Sequence, residues 1–272
     1  MKSERDYVLG THDEEIQRLG LQHRVWRSRA VDAWRRAGFS AGQEILDVGC
    51  GPGYASIDLA EIVGPSGKVH AIDRSRRFLD ALDRTCIDRG WNNVVTHECD
   101  LNEEKFPDLR ADGAWVRWVF AFVKHPEKLL SEITRTLKPG GTLVIHEYFN
   151  YAVWQIVPKS EELEEFVREV MESWRADGGE PDIGLDLPRR LVECGCSIQS
   201  LKPIVDVVTP SDDAWQWLAT FVRVGMQRLV ALGRVSSDRA KQIQEAFDRR
   251  ETGPSTLMFT PAVLEIIAVR DK

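Results

Sequence analysis

The chain has 272 residues, 43% hydrophobic and 29% charged, which suits one large domain or a core domain with an appended cap. Its formal net charge of −7 argues against nucleic acid as the main partner, since phosphate contacts need a basic surface. We find no run of 18 apolar residues that predicts a membrane span, and no apolar stretch of a signal peptide after the first charges. We therefore expect a cytoplasmic protein without a membrane partner, and the oligomeric state stays open.

The five cysteines form neither a CxxC pair nor a Cys/His array with the spacing of a zinc site. An odd number of cysteines in a chain expected to be cytoplasmic indicates reduced thiols. We therefore predict neither a disulfide framework nor a metal site.

Residues 1–40 are predicted to form an N-terminal arm and a cap helix. A short extended segment comes first, and apolar side chains then recur at helical spacing from Ile16 to Trp34. Gly38 suits the end of this helix, because glycine readily adopts the left-handed conformation that terminates helices.

From residue 44 the pattern alternates between short apolar strands and helices. The predicted strands are 44–48, 68–73, 93–100, 112–123 and 142–149. The predicted intervening helices are 55–63, 75–90 and 125–138. Strongly apolar strands that alternate with helices are typical of a parallel sheet covered on both faces, so we predict a doubly wound α/β fold.

After residue 149 the alternation ends and surplus helices appear. Residues 41–150 are predicted to be the α/β core and 151–184 a helical cap insertion. Residues 185–272 are predicted to complete the sheet, through strands 197–208 and 262–270, with a helical insertion at about 211–250. We expect the helices to cover the carboxyl ends of the strands, where open α/β sheets bind their ligands.

A glycine-rich turn, Gly49-x-Gly51-x-Gly53, follows the first strand. It matches neither the dinucleotide pattern G-x-G-x-x-G nor the phosphate loop that ends in Gly-Lys-Ser/Thr. A helix begins directly after the turn, so its amides suit a carboxylate better than a pyrophosphate. Asp47, at the end of the strand, can accept a hydrogen bond from an ammonium group.

Two further acids end the next two strands. Asp73 is placed to bind ribose hydroxyls, which fits NAD and S-adenosylmethionine (SAM) equally. Asp100 can accept from an adenine amino group, and the N–H of Leu101 can donate to the same ring. Three carboxylates would repel a dinucleotide phosphate, so the pattern favours SAM.

Five motifs in order, ILDVGCGPG, HAIDRS, ECDL, DGAWVRWVFAFVKHPEKLL and LKPGGTLVIHEY, resemble those of class I SAM-dependent methyltransferases. The resemblance covers about residues 40–150 and is strongest to the ubiquinone/menaquinone methyltransferase-like, small-molecule branch. It implies a Rossmann-like, mostly parallel seven-stranded sheet with an antiparallel last strand. It also implies SAM as the cofactor and S-adenosylhomocysteine as its product.

The resemblance also assigns cofactor-binding residues. For the methionine part these are Asp47, Gly49, Cys50 and Gly51, for the ribose Asp73 and Arg74, and for the adenine Asp100 and Leu101. Arg117, at the end of the fourth strand, could bind the cofactor carboxylate, face the substrate or pair with a nearby acid. Tyr7, in the arm, could close over SAM or simply pack.

The implied reaction is in-line transfer of a methyl group to a small, partly apolar or aromatic acceptor, with water excluded. Whether oxygen, nitrogen or carbon is methylated stays open. Glu147 and His23 are the catalytic candidates, for contact with the acceptor or its proton. Further base candidates are His12, His125, His146 and Tyr148. Residues that could line an apolar pocket are Trp118, Phe120, Phe149, Trp154 and Trp174.

Two alternative functions remain open at this point. An NAD(P)-binding oxidoreductase would use the same glycine turn and strand-end acid. A non-catalytic SAM-binding partner protein would keep the cofactor residues without turning over an acceptor.

Overall fold

Ten strands and eight α-helices make up residues 13–272, which are the residues that the computed structural model describes. The strands are β1 (Glu44–Val48), β2 (Lys68–Asp73), β3 (Val94–Glu98), β4 (Ala111–Arg117), β5 (Leu137–Asn150), β6 (Gln155–Val157), β7 (Cys196–Ile204), β8 (Val207–Val208), β9 (Leu257–Phe259) and β10 (Ala262–Arg270). The helices are α1 (Asp13–Arg36), α2 (Tyr54–Val63), α3 (Arg76–Arg89), α4 (Pro126–Thr136), α5 (Glu161–Ala176), α6 (Leu187–Glu193), α7 (Asp213–Ala231) and α8 (Ser237–Glu251). Tyr7 and His12 lie outside the described residues.

Seven strands form one sheet in the order β3-β2-β1-β4-β5-β10-β7. Strands β1 to β5 pair in parallel, and β10 is antiparallel to both of its neighbours. The predicted doubly wound, mostly parallel seven-stranded fold is confirmed. The chain reverses its direction of travel across the sheet between β1 and β4, which makes that boundary the switch point where such sheets bind ligands.

Alternate residues of β1 are buried on opposite faces of the sheet. Ile45 belongs to a core cluster with Trp34 of α1 and Leu59 of α2. Leu46 belongs to the larger cluster, with Leu130 of α4. Successive side chains of a strand point to opposite faces, so a strand with apolar side chains on both faces requires helices on both sides.

Strand β4 is shorter than predicted. We expected it to continue to Val123, but it ends at Arg117, and Trp118 takes a positive φ of 52°. A short 3-10 helix, Phe120–Phe122, follows. The β-branched and aromatic composition favours a strand locally, but the amides after Trp118 point to a buried carboxylate on β5, which turns the backbone out of the sheet.

The predicted strand 197–208 is divided between two sheets. Strand β7 ends at Ile204, and β8 joins a small antiparallel sheet in the order β6-β9-β8, which we did not predict. Asp206 and Thr260 exchange hydrogen bonds at the division: the N–H of Asp206 donates to Thr260 Oγ1 (3.0 Å) and the N–H of Thr260 donates to the Asp206 carbonyl (3.0 Å). This non-local pairing has no signal in the strand pattern.

Helices α1, α5, α7 and α8 pack against one another beside the sheet. Trp217 Nε1 of α7 donates to Gln22 Oε1 of α1 (3.0 Å), and Arg239 of α8 pairs with Glu165 of α5 (2.6 Å). The division into arm, core and cap segments stays a prediction. Among the helices of residues 13–272, none has both the length and the apolar character needed to cross a bilayer.

Candidate active site

A cavity of about 500 Å³ opens at the carboxyl ends of the parallel strands. Residues at the ends of β1, β2, β4 and β5 line its floor, and residues of α1, α5 and α7 line its other walls. Its volume is in the range of pockets that bind small molecules and cofactors. The cavity therefore lies where the switch point and the helices predict a ligand.

The glycine turn forms one wall of this cavity. Gly49, Gly51 and Gly53 have φ values of +67°, +55° and +82°, a region that glycine adopts without strain. A Cβ on Gly49 would lie 2.5 Å from Val119 Cγ2, and one on Gly53 would lie 2.4 Å from Leu82 Cδ1. Conformation thus favours glycine at all three positions, space requires it at Gly49 and Gly53, and the turn presents bare backbone to the cavity.

Asp73 ties the glycine turn to β2. Its Oδ2 accepts from the N–H of Gly51 (2.9 Å) and its Oδ1 from the N–H of Ser75 (2.8 Å). Burial raises the pKa of Asp73, and these two backbone donors oppose that rise. The carboxyl group is therefore held in one orientation at the cavity wall.

Asp47 is almost fully buried beside the turn and accepts a hydrogen bond from Ser56 Oγ (2.6 Å). Burial raises the pKa of Asp47 to about 6, and the charge of Arg117 acts in the opposite direction. A cationic ligand group would stabilise the ionised form of this carboxyl.

The structure brings together every predicted cofactor residue that it describes. The residues of this set that line the cavity are Asp47, Gly49, Cys50, Gly51, Asp73, Arg74, Asp100, Leu101 and Arg117. On the Asp100 side, Asp100 Oδ1 accepts from the N–H of Asn102 (2.9 Å), and Asn102 Oδ1 accepts from the N–H of Lys124 (2.8 Å). This hydrogen-bonded loop closes the wall predicted to hold adenine.

The cavity has two halves, one formed by the glycine turn and the strand-end acids and the other by aromatic side chains, and Arg117 lies between them. Its Nη2 donates to His23 Nδ1 (3.2 Å), whereas Nη1 is buried with no hydrogen-bond partner among residues 13–272. The guanidinium lies 5.2 Å from the ring centre of Trp118 and 5.7 Å from that of Trp115. Burial lowers the pKa of Arg117 to about 10, so the side chain stays cationic at neutral pH.

Three roles were open for Arg117, and the described contacts bear on one of them, pairing with a nearby acid. No carboxylate of residues 13–272 forms an ion pair with its guanidinium, although Asp47 is the largest attractive charge acting on it. The guanidinium, which lines the cavity without a carboxylate partner, is instead left for an acidic group of a ligand.

The second half of the cavity is aromatic. Trp118 stacks on Trp217 (ring centres 5.5 Å apart, 17° between planes) and on Tyr148 (5.5 Å, 16°). Other aromatic residues that line this half are Phe122, Tyr151, Trp174 and Phe221. Of the aromatic candidates from the sequence, Trp118 and Trp174 line the cavity, and Phe120, Phe149 and Trp154 do not.

A buried ion pair on α1 also faces this half, and we did not predict it. Arg18 pairs with Glu15 (2.6 Å), and its Nη1 donates to Gln22 Oε1 (3.2 Å), the atom that also accepts from Trp217. Glu15, Arg18 and Gln22 are spaced three and four residues apart, so they lie on one face of the helix. Polar residues on the apolar face of a cap helix are the sequence signal that could have indicated them.

Glu147 does not line the cavity. Its Oε2 accepts from the N–H groups of Val119 (3.0 Å), Phe120 (2.8 Å) and Ala121 (3.3 Å), and its Oε1 accepts from its neighbour Tyr148 (3.0 Å). Burial raises the pKa of Glu147 to about 7, and the four backbone donors act against the rise. With its lone pairs used in this way, the carboxyl group anchors the turn after β4.

His23 does not line the cavity either. Its ring is buried between Asp58, which lies 3.0 Å from Nε2, and Arg117. Both nitrogens are occupied, so this geometry does not present His23 to an acceptor.

The other described base candidates lie in different places. His146 is buried with Nε2 3.1 Å from Glu265 Oε2, whereas Tyr148 and His125 line the cavity. His125 is largely exposed and follows Lys124, on the Asn102 side. Among the described residues, no group of three or more His, Cys, Asp or Glu is arranged to hold a metal ion.

A family model described as "Methyltransferase domain" matches residues 39–213, which is more than half of the chain. The chain belongs to this family. The match includes the glycine turn and the three strand-end acids, and membership of a methyltransferase-domain family supports SAM as the cofactor.

Two curated relatives of this methyltransferase-domain chain carry related names. The ubiquinone/menaquinone biosynthesis C-methyltransferase UbiE of Hahella chejuensis is 28% identical over 53% of this chain and 57% of its own. The demethylmenaquinone methyltransferase of Anoxybacillus flavithermus is 33% identical over 46% of this chain and 52% of its own. The chain thus spans about half the length of the curated relatives it matches.

Among solved structures, the phosphoethanolamine N-methyltransferase 2 of Haemonchus contortus, in complex with S-adenosylhomocysteine, aligns with a TM-score of 0.56. The alignment is 20% identical and covers 90% of this chain and 53% of that chain. At this identity the likeness supports the fold.

Proposed function

We propose that this protein is a SAM-dependent methyltransferase that methylates a small, planar, aromatic acceptor. The observation that carries the proposal is the two-part cavity, in which an acid-lined glycine turn and an aromatic half meet at Arg117. One half fits an amino-acid nucleoside, and the other fits an apolar ring.

The residues of the first half fit the cofactor group by group. Asp47 would accept from the ammonium group and the glycine turn would admit the methionine part, while the Arg117 guanidinium would pair with the carboxylate. Asp73 would bind the ribose and Asp100 the adenine. When bound, SAM supplies an activated sulfonium methyl group, so the protein's task is to align the acceptor and exclude water.

The second half supports an aromatic acceptor. Flat indole and phenol rings offer stacking surfaces to a planar molecule. The name of one curated relative refers to ubiquinone/menaquinone biosynthesis and that of the other to demethylmenaquinone, which supports the same class of acceptor for this chain. A cytoplasmic location and the absence of a nucleic-acid partner stay predictions from the sequence.

Tyr148, in the aromatic half, would hold the acceptor oxygen. Burial raises the pKa of Tyr148, and the charges of Arg18 and Arg117 oppose the rise. Tyr148 would stay protonated and donate to that oxygen. A phenol or quinol acceptor would lose its proton to solvent before it binds, since neither Glu147 nor His23 lines the cavity to act as a base.

Calorimetric titration with SAM, S-adenosylhomocysteine and NAD(P) tests the cofactor. We expect both adenosyl ligands to bind and NAD(P) not to. Binding of NAD(P) without binding of SAM would establish the oxidoreductase alternative and end the proposal.

Incubation with methyl-labelled SAM and a panel of phenols, quinols and amines tests the acceptor. We expect label in a phenol or quinol. Trp217→Ala should raise the KM for that acceptor at least tenfold and leave the Kd of SAM within threefold, because Trp217 lines only the aromatic half. Leu232→Ala, at the exposed end of α7, is the matched control. Transfer to amines alone would contradict the acceptor class, and SAM binding without any transfer would favour the partner-protein alternative.

A further inference from the structure

His23 links three elements at the edge of the cofactor cavity. It belongs to α1, its Nε2 lies 3.0 Å from Asp58 Oδ2 of α2, and its Nδ1 lies 3.2 Å from Arg117 Nη2 of β4. Arg27 Nε also donates to Asp58 Oδ2 (2.8 Å). A cap helix is thus connected through one imidazole to the arginine between the two halves of the cavity.

The donors and acceptors define the protonation state of this histidine. A guanidinium can only donate, so Nδ1 of His23 accepts from Arg117 through its lone pair. The ring proton is then on Nε2 and is donated to Asp58. His23 is therefore a neutral imidazole in this arrangement.

The surroundings stabilise that neutral form. Burial lowers the pKa of His23 from its ordinary value of 6.5; Arg117 and Arg27 act in the same direction, and Asp58 opposes them. Tyr54 of α2 also faces His23, with its ring stacked at 6.0 Å and its hydroxyl donating to the Ile16 carbonyl. Within residues 13–272, the charged and titratable groups that face the imidazole are thus Asp58, Arg117, Arg27 and Tyr54.

The hydrogen bond to His23 orients Arg117. With Nη2 held, the planar guanidinium is fixed in one orientation at the cavity wall, with its central carbon 5.2 Å from the ring centre of Trp118 and 5.7 Å from that of Trp115. A side chain fixed before binding loses less conformational entropy when the ligand arrives. Protonation of His23 would place a second donor and a second cation against Arg117 and remove this hold.

We propose that His23 is a positioning residue that, as a neutral imidazole, aims Arg117 at the carboxylate of the cofactor's methionine part. This inference rests on the proposed function. It goes beyond that function by making the affinity for a carboxylate-bearing adenosyl ligand depend on a residue that does not touch the ligand.

Calorimetry with two ligands separates this role from a merely structural one. S-adenosylhomocysteine carries the carboxylate, and 5′-methylthioadenosine has the same nucleoside and a thioether but neither the carboxylate nor the ammonium group of the amino-acid part. At pH 8 we expect His23→Leu to bind S-adenosylhomocysteine at least tenfold more weakly and methylthioadenosine within threefold of the parent protein. Equal losses for both ligands, or no loss for either, would overturn the inference.

His23→Asn tests the same hydrogen bond with the fold preserved, because its amide oxygen can replace the Nδ1 acceptor and cannot titrate. At pH 8 we expect its affinity for S-adenosylhomocysteine to stay within threefold of the parent. Because the pKa of His23 is lowered from 6.5, the ratio of parent to variant Kd should rise only below pH 6.5. Asp47, whose pKa is about 6, titrates in both proteins and cancels in that ratio. An affinity of His23→Asn for S-adenosylhomocysteine at least tenfold weaker than the parent at pH 8 would overturn the inference even where His23→Leu fails to fold.

Ser28→Ala, an exposed change on α1, is the control for the helix and should bind both ligands like the parent. Failure of the parent to bind either ligand would refute the proposed function together with this inference. Binding of both ligands with no selective effect of His23 would refute the inference alone.

Discussion

Three carboxyl groups at strand ends show how local contacts divide similar residues between binding and structure. Asp47 and Asp73 are buried but lie against the cavity, where Asp47 accepts from Ser56, and Asp73 accepts from backbone N–H groups including those of Gly51 and Ser75. Glu147 is equally buried and accepts four hydrogen bonds. Burial and position along the strand are therefore poor guides to a catalytic carboxylate. The number of protein N–H and O–H groups that already donate to the carboxylate is a direct guide.

Asp73→Ala should weaken SAM binding at least tenfold, a loss of about 1.4 kcal/mol. The change removes the carboxylate assigned to the ribose and the acceptor that holds Gly51. Calorimetric titration measures the effect, with Asp80→Ala on the exposed side of α3 as the control. Unchanged affinity would show that the ribose is bound elsewhere.

Glu147→Gln should lower the free energy of unfolding by about 2–4 kcal/mol, because an amide NH₂ would face buried N–H donors. Urea unfolding measures the loss. The pH–rate profile of the remaining activity should keep its shape, because the side chain does not reach the cavity. A variant of normal stability whose kcat has collapsed would instead make Glu147 a catalytic residue.

At the scale of elements, the turn from β1 into α2 and the turn after β4 place the cavity's backbone. The first needs glycine because Gly49, Gly51 and Gly53, at every second position, all have positive φ. The second carries Trp118 at φ 52° and is held by Glu147 and by the His146 carbonyl, which accepts from the N–H of Trp118 (3.0 Å). A bulky residue in this conformation costs about 1–3 kcal/mol, which the surrounding hydrogen bonds and ring stacking offset.

Gly53→Ala should lower the free energy of unfolding by about 1–3 kcal/mol more than Gly90→Ala. Both residues lie in the left-handed region, with φ of 82° and 66° and ψ of 19° and 30°, but a Cβ on Gly53 would meet Leu82 at 2.4 Å and one on Gly90 would meet nothing within 4 Å. The pair thus separates steric overlap from backbone strain in urea unfolding. Equal losses would mean that α3 moves to accommodate the methyl group.

At the scale of the molecule, buried polar contacts connect the sheet to the surrounding helices. His146 of β5 contacts Glu265 of β10, and Glu265 also pairs with Arg36 at the end of α1. Burial lowers the pKa of His146. Burial opposes ionisation of Glu265, but hydrogen bonds from His146 and Arg36 outweigh it and lower its pKa.

The contribution of His146 to stability should therefore fall on acidification below pH 6.5, the ordinary pKa of histidine. At His146 the unfolded chain binds more protons than the folded chain in that range, so this contribution to the free energy of unfolding decreases with decreasing pH. His146→Asn should reduce the slope between pH 6.5 and pH 5.5 in urea unfolding. An unchanged slope would show that His146 is protonated in the folded state.

Local patterns in the sequence are enough to predict the order of strands and helices, the glycine turn and the acids at three strand ends. Parallel strands place their carboxyl ends on one edge, and positive φ selects glycine, so these features follow from periodicity and topology. The same local reasoning failed for residues 118–123, where aromatic and β-branched composition favours a strand but Glu147 draws the backbone away.

The roles of the polar residues around the cavity, in contrast, depend on tertiary packing. His23, Asp58 and Arg117 are far apart in sequence, as are the stacked rings of Trp118, Tyr148 and Trp217. Their contacts depend on how α1 and α7 pack beside the sheet, which no periodicity records. A side chain can bind a ligand only through the donors and acceptors that packing leaves unsatisfied, and these are known only once the helices are in place.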